Sequence, residues 1–280
     1  MPHLFCFGFG YSARALARIV TEQGWPVGGT TRQYTESALL RFERGLPPPP
    51  GALEGVTHLL SSVPPDADGD SVLDAARDHI VAARGSLRWI GYLSTTGVYG
   101  NTDGAWVDET SPTNPTSDRA RRRVVAEAAW LALGREHYLP VHVFRLAGIY
   151  GPGRSALDEV RAGTARRIDR PDHLFSRIHV DDIARVLAAS IARPNAGAIY
   201  NVCDDEPAAP ADVVRFACEL LKVPLPPLVS LADAKLSPMG ASFWADNRRV
   251  RNDRIKRELG VALAYPNYRE GLRAILAAGG

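Results

Sequence analysis

The sequence predicts an α/β fold, a doubly wound parallel sheet with a smaller C-terminal lobe, from three observations. An apolar run at the N-terminus breaks into Gly8-x-Gly10-x-x-Ala13 and then becomes a helical pattern. Further short apolar runs alternate with amphipathic stretches at the rhythm of strands and crossover helices. Several of these runs end in small and polar residues, as fits the carboxyl edge of a parallel sheet, where ligands bind.

Leu4-Phe5-Cys6-Phe7 reads as the first strand, and Leu16, Ile19 and Val20 share one face of the helix that Gly24 stops. Gly8 permits a sharp turn, Gly10 lets the backbone approach a pyrophosphate, and Ala13 lets the helix pack closely on the sheet. With Tyr11 and Ser12, this first helical turn offers unpaired N–H groups and the positive end of the helix dipole to phosphates. Dinucleotide binding is expected; an ordinary glycine-rich turn is the plainer alternative.

A binder of NAD usually carries an acidic residue about 20 positions further on, for the ribose hydroxyls. Here that place reads Val27-Gly28-Gly29-Thr30-Thr31-Arg32, without a carboxylate. Arg32 offers a guanidinium to a 2′-phosphate, and Thr30 and Thr31 add neutral donors. NADP is therefore expected in preference to NAD.

A helix is expected over 35–44, followed by the extended proline run 47–50, so that a third strand is short or missing. The next strand, 57–62, ends in Ser61, Ser62 and Val63 at the edge where a nucleotide would lie. A helix over 70–84 is capped by Asp70 or Ser71. The buried strand 89–93 delivers Ser94, Thr95 and the turn to Tyr99 at the same edge. A helix capped near Ser117 or Asp118 carries an apolar stripe of Val124, Ala128 and Leu131. Strand 141–146 runs into Ala147 to Gly153. The remainder is less regular, with helices near 156–161, 181–192, 211–221, 252–259 and from 268, and a last sheet strand over 198–202. Residues 1–152 form the expected nucleotide-binding domain and 153–280 the substrate lobe, with 177–202 returning to the sheet and a small-molecule substrate between them.

Composition sets bounds. A formal net charge of +2 over 280 residues gives no general field for nucleic acid, although Arg119, Arg121, Arg122 and Arg123 cluster locally. No stretch is long enough to span a bilayer and no leader pattern precedes the first strand, so a soluble cytoplasmic protein is expected. Cys6, Cys203 and Cys218 lie far apart and read as small buried apolar residues, without metal-ligand spacing.

Several segments together resemble the extended short-chain dehydrogenase/reductases, the NAD-dependent epimerase/dehydratase family, and most closely its atypical YeeZ-like branch. They are the glycine turn, Ser94 to Gly100, Arg145 to Gly153, Ile178 to Ala184, Tyr200-Asn201-Val202 and Tyr265-Pro266, in the family's order. The resemblance implies a Rossmann domain, a nicotinamide nucleotide and a C-terminal lobe that selects the substrate. It places Thr95 at the family's Ser/Thr position, whose hydroxyl can bond a substrate oxygen. It puts Arg119 and Arg123 where the family has its Tyr and Lys, and arginine does no acid/base work at neutral pH. Gly148 replaces an Asn usual near the nicotinamide, and Phe175 stands where many sugar-nucleotide epimerases have a phosphate-binding Arg, which disfavours a sugar nucleotide. The resemblance also makes His179, Asp181 and Asp182 structural, and makes the helices over 70–84 and 117–133 a homodimer contact.

Thr95 is the first catalytic candidate; Tyr99, or Tyr150, could supply a phenol from a sheet-edge turn. The Arg119 to Arg123 cluster reads as a solvated helix face, and any part turned inward would favour an anionic substrate. Two function classes follow. One is an NADP-dependent oxidoreductase or epimerase-like enzyme with a rearranged proton donor, acting on a small carbonyl or hydroxyl compound. The other is a nucleotide-binding sensor without turnover, and the fold serves both.

Overall fold

A computed structural model describes residues 1–32, 39–236 and 238–279. β1 (Leu4–Phe7) turns at Gly8 into α1 (Tyr11–Glu22), and Gly24, at φ +79°, ends that helix in the left-handed region. β2 (Val27–Thr31) and the two-residue β3 (Leu40–Arg41) follow. The short third strand agrees with expectation, but the helix over 35–44 needs correction. Thr30 and Thr31 pair with Leu40 and Arg41, so the open edge of β2 claims the end of that segment as strand; 33–38 lie outside the described residues.

β4 (His58–Ser61) precedes α2 (Ser71–Ala82), which Asp70 caps by accepting the Val72 and Leu73 N–H groups, each at 3.0 Å. β5 (Trp89–Thr95) ends in a 3-10 turn, Thr96–Tyr99. Then come β6 (Trp106–Val107), α3 (Asp118–His137) with Ser117 as cap, β7 (Val141–Leu146) and β8 (Gly148–Tyr150). α4 (Ala156–Arg161) starts at a capping box of Ser155 and Asp158, followed by β9 (Arg167–Ile168), β10 (Arg177–His179), α5 (Val180–Ala192) and β11 (Ile199–Val202). α6 (Pro210–Leu221), β12 (Leu228–Val229), α7 (Pro238–Trp244), β13 (Arg249–Val250), α8 (Asp253–Leu259) and α9 (Tyr268–Ala277) complete the chain. α7 has no counterpart in the sequence reading.

Seven parallel strands form the central sheet in the order β11-β7-β5-β4-β1-β2-β3. The chain starts mid-sheet and winds outward both ways, so the order reverses between β1 and β4. Phe7 pairs with Ser61 there, which sets Gly8 against Ser62 at the carboxyl edge. That reversal is where such sheets open a crevice.

Strand alternation sorts the core into two layers. Leu4 and Cys6 pack with Leu16, Val20, Ile183 and Leu187 of α1 and α5, whereas Phe5 and Phe7 pack with Val72, Ile80, Trp130 and Leu133 of α2 and α3. Each fully buried side chain of this size contributes about 1.5–3 kcal/mol. The apolar stripe expected on α3 is displaced: Ala126, Trp130 and Leu133 are buried, Val124 and Leu131 are partly so, and Ala128 faces solvent. Polar anchors set this rotation. The Trp130 indole donates to Asp70 at 3.0 Å, and Glu127 binds Arg145 on β7.

The C-terminal lobe builds its own core from Leu157, Val213, Ala217, Leu272 and Ile275 on α4, α6 and α9. Pairing of β13 with β6 ties it to the loop after β5. All three cysteines are buried, and burial pushes their thiol pKa values up. Among the described residues no helix is long and apolar enough to cross a membrane.

Candidate active site

A cavity of about 1310 Å³ opens between the glycine turn, the ends of β5 and β7, and the lobe helices α4, α6 and α7. Its floor is the turn after β1. Gly8 has φ +81°, and a Cβ there would stand 2.8 Å from Ser62 Oγ, so both backbone and space require glycine. Its N–H donates to Thr30 Oγ1 at 2.9 Å, and the Ser62 hydroxyl donates to its carbonyl. Gly10 differs, since its φ is −92° and a Cβ would meet nothing within 4 Å. No side chain caps α1, and the first N–H groups of a helix have no intrahelical acceptor. Gly10, Tyr11 and Ser12 line the cavity, while Ala13 is fully buried. An uncapped helix start beside open space fits a pyrophosphate.

The other expected nucleotide contacts divide. Ser62 lines the cavity, Val63 packs against Gly8, and Ser61 is wholly buried and outside the lining. Thr30 requires correction: it is 1% exposed, and its hydroxyl oxygen secures Gly8 instead of meeting a ribose. Thr31 is partly buried on β2, and Arg32 stands exposed just beyond it. Ser94 lines the cavity, but its hydroxyl donates to Glu127, whose carboxylate also holds Arg145.

Thr95 ends β5 at the cavity wall. Its Oγ1 accepts the Gly97 N–H at 3.1 Å, which leaves the hydroxyl proton free to donate. Tyr99 lies elsewhere. It is 1% exposed, donates to Asn201 Oδ1 at 2.7 Å and accepts from Arg145 at 2.9 Å, so the expectation of a phenol in the site meets a core network instead. Tyr11 and Tyr150 do line the cavity. Their hydroxyls donate to the carbonyls of Pro152, at 3.0 Å, and Asn267, at 3.5 Å. Burial raises both phenol pKa values.

Arg119 and Arg123 both line the cavity, Arg123 half-buried and Arg119 exposed at its rim. Arg121, by contrast, turns outward to Asp118. Arg123 donates to the Leu93 carbonyl and to the Tyr92 hydroxyl at 3.2 Å; Arg119 lies 5.3 Å from the centre of the Phe243 ring. Sequence reasoning missed the lobe wall, where Arg248 donates to the Gly100 carbonyl at 2.9 Å and to Asp246 at 3.1 Å, beside Phe243 and Trp244. The available signal was the pair Phe243-Trp244 followed closely by Asp246, Arg248 and Arg249. His179 is structural, as the resemblance implied: its Nδ1 accepts the Asp181 N–H at 3.2 Å at the start of α5, and Asp182 accepts the Ala264 and Tyr265 N–H groups.

Comparison with known proteins places this geometry in a family. The model of the NAD dependent epimerase/dehydratase family matches residues 69–203. Protein YeeZ of Escherichia coli (strain K12) is 30% identical over 292 residues, covering 95% of this chain and 97% of that protein. The chain belongs to the NAD-dependent epimerase/dehydratase family. A solved structure, that of a functionally unknown conserved protein from Silicibacter pomeroyi DSS, is 54% identical with a TM-score of 0.91, the match covering 99% of each chain. MoeE5 in complex with UDP-glucuronic acid and NAD is 18% identical, with a TM-score of 0.79 over the whole of both chains, and shares the fold. Within the family, then, this member carries arginine at 119 and 123, and both line the same cavity as Thr95 and Gly10.

Proposed function

We propose that this protein is a nicotinamide-nucleotide-dependent oxidoreductase or epimerase-like enzyme that acts on a small carbonyl or hydroxyl compound and prefers NADP to NAD. The observation that carries the reading is that Gly10 and Thr95 line one cavity. The family's description as NAD dependent supports the cofactor class. Gly10, Tyr11 and Ser12 would hold the pyrophosphate, and Arg32, following a β2 sequence that carries no carboxylate, would meet a 2′-phosphate. The bound nicotinamide supplies or accepts the hydride.

The chain's own residues then position and polarise. The Thr95 hydroxyl, its oxygen already accepting from Gly97, donates a hydrogen bond to the substrate oxygen and stabilises charge that develops there. Tyr11 and Tyr150 direct their phenols at backbone carbonyls, so water serves as proton source. Turnover is correspondingly slow, because general acid catalysis by a positioned group contributes about 10²–10⁴-fold.

The test is to incubate the protein with NADPH deuterated at C4 and a mixed metabolite extract, and to search products for deuterium by mass spectrometry. Transfer from one face of the ring is expected. Tight NADPH binding with no label moved from either face would assign the protein to the sensor class instead.

A further inference from the structure

Arg119 and Arg123 stand one turn apart on α3 and so share a face. Both line the cavity, and among the described residues no carboxylate lies within 4.0 Å of either guanidinium. The partners of Arg123 are neutral oxygens, which fix the side chain without cancelling its charge. One of them is the carbonyl of Leu93, two residues before Thr95, so this charge is held beside the end of β5. Arg119 lies with its guanidinium 5.3 Å from the centre of the Phe243 ring and is exposed at the rim of the opening. Burial and the neighbouring Arg123 both lower the Arg119 pKa, as unneutralised charge does.

The rest of the lining does not offset them. Seven cationic side chains face three carboxylates among the described residues. Asp158 is taken up by the Ser155 capping box and Asp246 by Arg248 and Thr116, and burial shifts Glu159 toward its neutral form. A cavity of this charge concentrates anions.

We propose that Arg119 and Arg123 form an oxyanion subsite that grips a carboxylate or phosphate of the substrate beside Thr95, so that the enzyme acts on a small acid and not on a neutral carbonyl compound. This rests on the reading of the cavity as the substrate site of a nicotinamide-dependent enzyme. The guanidinium fork matches both oxyanions, pairing two parallel N–H donors with two oxygens. Thus the two positions that lost acid/base capacity gained the capacity to hold charge.

The experiment titrates inorganic phosphate and malonate, separately and at low ionic strength, into the wild-type protein, Arg119→Gln, Arg123→Gln and Gly10→Val. At least one anion is expected to bind wild type, to weaken roughly tenfold or more in each arginine variant, and to bind Gly10→Val unchanged. Whether phosphate or malonate binds more tightly decides between the two oxyanions. Circular dichroism checks the folding of every variant, and Arg119, exposed at the rim, is the arginine whose replacement disturbs the fold least. Anion binding that is equal in wild type and both arginine variants, absent from wild type, or lost only in Gly10→Val overturns the proposal. NADPH titrated into the same set reports the cofactor reading separately, because it depends on Gly10 and not on Arg119.

Discussion

Glu127 on α3 receives the Arg145 guanidinium of β7 at 2.8 Å, with both side chains only 5% exposed. Around this pair, Ser94 donates to Glu127, and Arg145 reaches the Tyr99 hydroxyl. Together with the Trp130–Asp70 bond, this buried ion pair fixes the rotation of α3 against the sheet, and that rotation sets Arg119 and Arg123 along the cavity. Glu127→Ala leaves a buried guanidinium without its counter-charge and should destabilise the fold by about 3–5 kcal/mol. Denaturant unfolding measures it; a loss below about 1 kcal/mol would show that water or Tyr99 compensates.

The two glycines of the turn should behave oppositely. Gly8→Val forces a side chain into φ +81° and against Ser62, and should lower stability. Gly10→Val meets open space in an ordinary conformation, so the fold should persist while the branched side chain fills the place of the pyrophosphate. Thermal melts and calorimetric titration of NADP distinguish these outcomes, and unchanged nucleotide affinity in Gly10→Val removes the assignment of the turn.

Arg32→Ala tests nucleotide preference. A charge-assisted bond to a 2′-phosphate contributes on the order of 1.5–3 kcal/mol, so NADPH should weaken roughly 10- to 100-fold while NADH is almost unaffected. Equal losses for both nucleotides would count against the NADP preference.

Thr95→Val keeps the shape of the side chain and removes its hydroxyl. Label transfer from deuterated NADPH should fall by roughly 10²–10³-fold, the range for loss of one donor to a developing oxyanion. Binding of NADPH should stay as it was. Undiminished transfer would keep the enzyme and discard this residue.

Stability should also depend on pH through two buried histidines. Burial holds His58 and His179 down to about 4 each. The unfolded chain takes up these protons near the ordinary value of 6.5, and the folded chain does not until about 4. The contribution of these two neutral histidines is therefore full above about pH 6.5 and is lost as pH falls toward 4. Denaturant midpoints followed from pH 7 to pH 4.5 should drop, and a flat profile there would refute the assignment.

The sequence by itself determined the elements that local chemistry dictates. The glycine turn, the two caps to within one residue (Asp70 or Ser71, Ser117 or Asp118), the alternation of strands with helices and a third strand short or missing were all readable, because each depends on neighbours in the chain. That His179 is structural followed from resemblance; that it caps α5 was seen only in the structure. What tertiary structure decided was orientation. Period alone could not give the buried face of α3, since Trp130 and Glu127 are anchored by Asp70 and Arg145 from distant segments. Nor could it show that Thr30 secures Gly8, that Tyr99 is bound by Asn201 and Arg145, or that Arg248 closes the far wall. Each of these turns on a polar side chain finding a partner many residues away, and such a pairing exists only once the sheet and the lobe have brought the two together.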